Sequence, residues 1–408
     1  MSTNDVFPTR ISVAEALSLV RASAATTPAA RERVATARAD GRVLAEDVVA
    51  PVSLPAFDNS AMDGYALRHA DLDPASPTRL ALAGEQFAGP DLGLVLSARQ
   101  CVRITTGAPM PEGADTVLIK ENALVEGDVV IVPAGLVRGA NVRRRAEDVE
   151  VGDVVLRAGQ VLTPARIGLA ASMGLDRLEV VARPTVAVFA SGDELVEPGL
   201  PLRPGQVYNS NREQLMAQLR ALGLEPVAWP TLPDDPARID SMLGDAAENF
   251  DVVLTCGGVS AGEKDHLPRW LHAQGRIVFW KVRMRPGMPV LFGRAGRAWV
   301  LGLPGNPVSV LATFTVLGRE LLDGLQARVE PRQRWRARLA KPWSKRHERL
   351  EFLRGQMLQE EDAGLAVRPN PADGSHRLCA AAASDALIVL EEGARDYAAG
   401  DLVEVVPL

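Results

Sequence analysis

The chain has 408 residues, with 45 Lys and Arg against 51 Asp and Glu, and 47% of its residues are hydrophobic. That length predicts more than one domain, and the apolar share supplies real cores. The net charge of −6 argues against nonspecific nucleic-acid binding, which needs a broad basic surface, while leaving room for a local basic pocket that takes a small anion.

Ser12, with Glu15 three residues later, reads as a capping box that opens a helix through Ala25. The following AATTPAARERVATARADGR reads as a looser linker or a second helix. From Val48 to Val137 short β-like runs (LALAG, CVRITTG, TVLIKE, VVIVPAG) alternate with Gly and Pro turns, which predicts a β-rich domain. LTPARIGLAASMG then forms a short helix that Gly174 ends. Helical material lies on both sides of the β segment. Residues 48–137 are therefore read as a β-rich domain inserted into a discontinuous helical one, 1–47 plus 138–182. Residues 183–328 read as α/β. TVAVFA is a strand, Ser210 caps a helix that Gly223 ends, and Asp235-Pro236 opens another helix. DVVLTC, RIVFWKVRM, VLFG and AWVLGL are strands, and Asn306-Pro307 opens a long final helix. Such alternation predicts an open, mostly parallel sheet covered on both faces, with ligands beyond the carboxyl ends of its strands. Residues 329–408 read as a small C-terminal β domain, barrel-like in its short runs RWRARLAKPW, LIVLEEG and DLVEVVPL.

Chemistry concentrates where the α/β strands end. TVAVFA is followed by Ser191-Gly-Asp193-Glu194, DVVLTC by Gly257-Gly258-Val-Ser260, and AWVLGL by Pro304-Gly305-Asn306-Pro307. Parallel strands would gather these turns on one rim. Glycine there allows a ligand close to the backbone, and a helix start at Asn306 offers N–H groups to phosphate. Neither a Walker A loop nor GxGxxG is present. Asp265 follows the glycines closely and suits a Mg²⁺ or the orientation of water. The acids have plainer readings too: Asp234 or Asp235 as a helix cap, Glu194 as a solvated loop residue. Lys281, Arg283 and Arg285 alternate along FWKVRMRPG and so share a face, either a solvated one or a cationic wall for an oxyanion. Arg143, Arg144 and Arg145 read first as a solvated run. Cys256 ends an apolar strand and reads as core, and the six tryptophans read as packing. Cys101, Cys256 and Cys379 show no metal-like spacing, the five histidines form no HExxH, and no zinc site is expected. The polar start MSTNDVFPTRIS lacks a signal-peptide core, no apolar run has membrane-spanning length, and a reducing cytoplasm is expected.

LPAFDNSAMDGYAL, RITTGAPMPEGADTVLIKE, GANVRRRAEDV, ASGDEL, GGVSAGEKDH and LGLPGNPVS together resemble the molybdopterin molybdotransferases, the MoeA and gephyrin E-domain family. The resemblance runs in order from about residue 10 to the C-terminus. It implies four domains, the third being the molybdopterin-binding α/β domain and the second inserted into the first. It also implies a homodimer whose cleft lies between the α/β domain of one subunit and the β-rich domain of its partner. Adenylylated molybdopterin and molybdate are the implied substrates, with molybdenum cofactor and AMP as products and Mg²⁺ assisting. Matching motifs carry over Asp63, Thr106 and Asp148 from the first half, and Glu194, Asp234 and Asp265 from the α/β domain. Lys281, Ser309, Arg354 and Ser375 follow in the same way. Arg285 stands where many members have Lys, which keeps the charge but adds bulk and a bidentate fork.

On that reading Gly257, Gly258, Ser260, Gly305, Asn306 and Asp234 hold the pterin substrate, and Asp265 and Glu194 bind the metal. Lys281, Arg285, Ser309, Arg354 and Ser375 hold molybdate, and the pterin's own sulfurs receive it. Molybdopterin adenylyltransferase and molybdenum-enzyme apoproteins are the implied partners, with no nucleic acid and no membrane. Two other readings stay open. One is an adenylyltransferase-type activity, which would need only the α/β domain. The other is a non-enzymatic scaffold, which in gephyrin uses extra segments that this sequence lacks.

Overall fold

Ser12 does open the first helix in the computed structural model, which describes residues 7–259, 266–360 and 364–408. Its hydroxyl accepts the Glu15 N–H at 3.1 Å, satisfying one of the orphan donors of α1, Val13–Ala25. Just before it, Thr9–Ile11 pairs in parallel with Gly275–Val282, so the N-terminal segment enters the sheet of the α/β region. The segment after α1 is not helical. Pro28 follows the helix, and Arg31–Ala35 pairs antiparallel with Arg177–Val181 in a two-stranded ribbon. A second ribbon joins Val48–Val49 to Val154–Leu156. Among its described residues the region read as discontinuous and helical therefore keeps α2, Pro164–Ser172, as its one α-helix besides these ribbons and a short 3₁₀ turn, Thr36–Arg38, because α1 packs elsewhere. Thr163 caps α2 by accepting the Arg166 N–H.

The β-rich lobe is a six-stranded sheet in the order Thr116–Ile119, Gly64–Leu67, Gln100–Ile104, Thr78–Gln86, Val129–Val132, Leu124–Glu126. Gly64 explains itself by close approach: a Cβ there would lie 1.9 Å from the Leu118 carbonyl oxygen across the ladder. Leu67, Leu80, Cys101, Leu118, Val130 and Val132 fill its main core.

The α/β sheet has seven strands in the order Thr9–Ile11, Gly275–Val282, Leu291–Ala295, Ala298–Leu303, Val252–Cys256, Val186–Ala190, Val227–Ala228. Four of the pairings are parallel, and those on either side of Leu291–Ala295 are antiparallel. Val186–Ala190, Val252–Cys256 and Ala298–Leu303 are buried at every position, as strands covered on both faces must be. The helices α3 (Ser210–Ala221), α4 (Pro236–Asn249) and α5 (Leu267–Gln274) cover it together with α6 (Pro307–Thr313), which runs through a π-helical stretch, Phe314–Gly318, into α7 (Arg319–Leu325). One core joins α1, α3, α6 and α7 on one face, and a second joins α4 and α5 on the other. Trp299 lies inside the first, stacked on Phe292 with its Nε1 donating to Thr27 Oγ1 at 2.9 Å. Asn209, not Ser210, caps α3 by accepting the Arg212 N–H. The Asn209 backbone is held by the Val196 carbonyl, which places the cap one residue earlier than the sequence suggests.

The C-terminal part closes on itself. Leu350–Gln359 pairs with Leu365–Pro369, which pairs with Trp335–Leu339, then Leu402–Pro407, then Ala386–Leu390, and so back to Leu350–Gln359. This five-strand barrel leaves no free edge within the ring. The short helix α8, Leu378–Ala382, sits in one of its loops. Met284–Arg285 adds in parallel to Leu350–Gln359, with Arg285 opposite Glu351. No helix among the described residues is long and apolar enough to cross a membrane.

Candidate functional site

The carboxyl ends of the three central strands are tied to each other by backbone. Ser191 N–H donates to the Cys256 carbonyl and Gly257 N–H to the Leu303 carbonyl, each at 3.0 Å. The turns after Val186–Ala190, Val252–Cys256 and Ala298–Leu303 thus lie side by side on one rim, as the parallel reading requires. Gly257 and Gly258 have φ of 94° and 72°. A Cβ on Gly257 would stand 2.9 Å from the Ser191 carbonyl oxygen, and one on Gly258 3.4 Å from Ser191 Oγ. Both glycines therefore answer to backbone geometry at this edge. Asn211, from the first turn of α3, donates to the Gly305 carbonyl at 2.6 Å and fixes the third turn. Cys256 is buried beneath, and burial pushes its thiol up to about 12, so it is core and not a nucleophile.

Asp193 and Glu194 are exposed on the first turn, and the Glu194 carboxylate folds over Gly192, where a Cβ would lie 2.5 Å from Oε2. Asp235 caps α4 by accepting the Ala237 N–H at 3.0 Å, which settles the capping role on Asp235, with Asp234 just before it. Ser260 and Asp265 lie outside the described residues. Among the described residues no group of three or more His, Cys, Asp or Glu side chains could hold a metal.

The cations do not form the wall that alternation suggests. Lys281 has φ of 70°, which breaks the alternation, and the chain then leaves the α/β sheet for the barrel. Lys281 Nζ lies 4.7 Å from the Trp280 ring centroid, and Trp280 Nε1 donates to the Val259 carbonyl at 2.9 Å. Lys281 is thereby held next to the glycine turn. Arg283 points elsewhere, to Glu392 at 3.4 Å. Arg285 meets the barrel: its Nη2 donates to Asp373 Oδ2 at 2.8 Å and its Nε lies 3.7 Å from Glu351 Oε1.

The barrel loop carrying Ala372 to Ser375 reaches back to the sheet rim. Asn306 Nδ2 donates to Ser375 Oγ at 2.9 Å, and the Val308 N–H donates to the Ser375 carbonyl at 3.2 Å. The start of α6 thus has one N–H already engaged, and its Asn306 side chain reaches Ser375 instead of capping the helix. Arg354, 2% exposed, donates through Nη1 to the Gly374 carbonyl at 3.2 Å and through Nη2 to the Ala372 carbonyl. Its Nε is buried with no hydrogen-bond partner among the described residues. Burial lowers its pKa, but a guanidinium stays charged, so a fixed cation stands under the loop. Ser309 is buried in α6, and its carbonyl accepts from Thr313 Oγ1. Gly287 packs onto this helix, since a Cβ there would lie 2.2 Å from Thr313 Cγ2 and 3.6 Å from the Ser309 carbonyl. Arg285, Asn306, Ser309, Arg354 and Ser375 are therefore neighbours, although they come from the strand that crosses to the barrel, from the start of α6 and from the barrel itself.

Asp63, Thr106 and Asp148 are a separate group on the β-rich side. Asp63 Oδ1 accepts the Thr106 N–H at 2.9 Å and its hydroxyl at 3.1 Å, and Oδ2 lies 3.5 Å from Lys120 Nζ. The Thr106 N–H, then its hydroxyl and then Lys120 hold Asp63 below the usual carboxylate range. Asp148 is exposed, with its N–H on the Leu54 carbonyl. Arg144 is not merely solvated: it pairs with Asp58 at 2.7 Å. Among the described residues no hydrogen bond or ion pair joins Asp63, Thr106 or Asp148 to the α/β rim. Sequence reading missed Asp373, Glu351 and Lys120, which have no local motif; only a fold brings each to its partner.

A separate cavity of about 1030 Å³ lies between α1, α7 and the barrel, and no candidate site residue lines it. Of its arginines, Arg21 is engaged by Glu320 and Arg332 by Asp323.

Glycine-lined strand ends and a barrel loop docked on their rim define a multidomain α/β protein with a C-terminal barrel. Comparison with known proteins narrows this. The descriptions "MoeA N-terminal region (domain I and II)", "probable molybdopterin binding domain" and "MoeA C-terminal region (domain IV)" match residues 11–174, 187–324 and 336–408. A molybdopterin molybdenumtransferase of Haemophilus influenzae is 38% identical over 387 residues, 93% of this chain and 94% of that protein. The molybdopterin molybdenumtransferase 2 of Mycobacterium tuberculosis is 39% identical, covering 90% of this chain and 93% of its own. The crystal structure of the molybdopterin biosynthesis moeA protein of Pyrococcus horikoshii superposes with a TM-score of 0.84 at 27% identity, covering 98% of this chain and 100% of that one. The chain belongs to the MoeA family.

Proposed function

We propose that this chain is a molybdopterin molybdenumtransferase, inserting molybdenum supplied as molybdate into molybdopterin. The observation that carries this is the meeting of Arg285, Asn306, Ser309, Arg354 and Ser375 around one barrel loop, at the end of the strand whose Leu303 carbonyl accepts the Gly257 N–H. Cations and hydroxyls suited to a tetrahedral oxyanion thus adjoin backbone suited to a phosphate. The substrate is adenylylated molybdopterin and AMP is released. The backbone at Gly257, Gly258 and Gly305 receives the pterin's phosphates, with Asn211 keeping the Gly305 turn in place. Lys281, fixed against Trp280, and Arg285 hold molybdate, and Arg354 fixes the loop that brings Ser375 to Asn306.

The exposed Glu194 carboxylate over Gly192 is a hard oxygen donor, and Mg²⁺ needs only one or two such groups beside substrate phosphates. Glu194 would hold the ion with Asp265, and the ion would neutralise charge on the pyrophosphate. Asp63, Thr106 and Asp148 serve the site across a homodimer interface. Their separation from the rim within one chain supports that arrangement. The division at residues 48, 138, 183 and 329 belongs to the same reading, as do a cytoplasmic setting and exchange with an adenylyltransferase and molybdenum-enzyme apoproteins.

The test is AMP release from adenylylated molybdopterin, with and without molybdate and with tungstate in its place. Molybdate-dependent release with molybdenum retained on the pterin is expected. Release indifferent to molybdate, or ATP consumption with plain molybdopterin, would refute the assignment; the latter would favour an adenylyltransferase.

A further inference from the structure

We propose that Asp373 is an internal competitor for the oxyanion place on Arg285, so that this one carboxylate sets how tightly molybdate is held. The inference rests on reading Arg285 as a molybdate-binding residue. Arg285 has two carboxylate partners of unlike character. Glu351 stands opposite it in the strand register, 3.7 Å from Nε, with a side chain only 4% exposed and His347 Nε2 3.4 Å from the same oxygen. It is walled in and cannot leave. Asp373 takes Nη2 at 2.8 Å from an exposed loop, with 43% of its side chain in solvent. It is free to turn into water.

The fork of Arg285 therefore has a fixed inner partner and a displaceable outer one. A carboxylate and a tetrahedral oxyanion offer oxygens to a guanidinium in the same way. The loop that supplies Asp373 also supplies Ser375, which bonds Asn306. An oxyanion that reaches Ser375 and Asn306 thus meets the Asp373 carboxylate on a donor it needs. Lys345 and Arg349 also act on Glu351 and Arg354 on Asp373, so the competition comes from the direct 2.8 Å contact of Asp373 with Arg285 and not from a local excess of negative charge. Lys345, buried nearby, spends its Nζ on the His347 and Gly393 carbonyls. Removing the Asp373 charge leaves Arg285 with Glu351 on its inner side and an open outer edge. An exposed pair of this kind is weak, so its removal should change affinity by about two- to five-fold.

Equilibrium dialysis of the full chain against molybdate alone tests this with Asp373→Asn, Arg285→Gln and the double variant. The decisive variant, D373N, alters an exposed loop, and circular dichroism checks the fold of R285Q. Expected are a dissociation constant lowered about two- to five-fold in D373N, raised in R285Q, and no effect of D373N in the R285Q background. Unchanged or weaker binding in D373N with weaker binding in R285Q overturns the competition but leaves Arg285 as an anion ligand. Equal tightening in the R285Q background also overturns it, since a general charge effect would suffice. Unaltered binding in R285Q removes both the proposal and the reading beneath it.

Discussion

Gly257 and Gly258 are adjacent, both left-handed, and predicted to respond differently to a single methyl group. For Gly258→Ala the added Cβ meets Ser191 Oγ at 3.4 Å, an ordinary contact at φ of 72°. Its cost is that of a non-glycine residue in the left-handed region, about 1–2 kcal/mol. For Gly257→Ala the φ of 94° lies further from the left-handed well, and the Cβ comes within 2.9 Å of a backbone oxygen, that of Ser191. Ser191 is pinned by its N–H to the Cys256 carbonyl, so the clash cannot be relieved by a side-chain rotation. The cost rises to about 3 kcal/mol, with movement of the Ser191 turn. That turn carries Asp193 and Glu194, so on the proposed function G257A should also raise the half-saturating concentration of adenylylated molybdopterin, and G258A much less. Urea unfolding and steady-state AMP release measure the two effects. Equal destabilisation by the two substitutions, or a larger cost for G258A, would show that contact with the Ser191 backbone does not govern this turn.

Two further outcomes are expected. Glu330 accepts both Arg166 guanidinium nitrogens, at 2.6 and 2.8 Å, and the Val161 N–H at 2.8 Å, tying α2 to the start of the C-terminal part. Arg166 first, and that backbone donor after it, lowers the Glu330 carboxyl to about 2 from 4.5. Its contribution is therefore full above pH 4.5 and is lost as pH falls toward 2. Glu330→Gln should cost about 1–2 kcal/mol at pH 7, and its unfolding midpoint should approach that of the unaltered chain as pH falls; a gap constant from pH 6 to 3 would contradict this. Asp63→Asn should lower turnover with little change in thermal midpoint, because Asp63 is only half-buried and acts on the Thr106 turn. Full turnover in that variant would take Asp63 out of the site.

The rim was legible in the sequence because its strands are apolar throughout and stop at glycine or proline. SGDE after TVAVFA, GG after DVVLTC and PGNP after AWVLGL announce turns at one end of a covered sheet, and all three lie there. The pairing of Arg31–Ala35 with Arg177–Val181 was not legible. That strand is mostly exposed, so it lacks an apolar pattern, and its partner is far along the chain. α1 was legible as a helix through its cap, but its packing on the α/β core depends on α7. The inward turn of Arg354 was hidden as well. Alternation gives two faces to a strand, and only closure of the barrel decides which one is inside. Arg283 and Arg285 share a side in the sequence but meet different acids, because the chain changes sheet between them: the Arg283 N–H still bonds the Ile11 carbonyl, whereas Arg285 is laddered opposite Glu351.

That change of sheet has a mechanical outcome. Only Arg283 separates the last residue of Gly275–Val282 from Met284, and Met284 and Arg285 are already laddered onto the barrel. Arg349 adds a bond to the Met284 carbonyl at 3.3 Å. Such a joint has no slack to swing on, so the two bodies behave as one anvil and not as a pair of jaws. Lys281 on the sheet side of that joint and Arg285 on the barrel side are accordingly kept at a fixed spacing, with no loop between them.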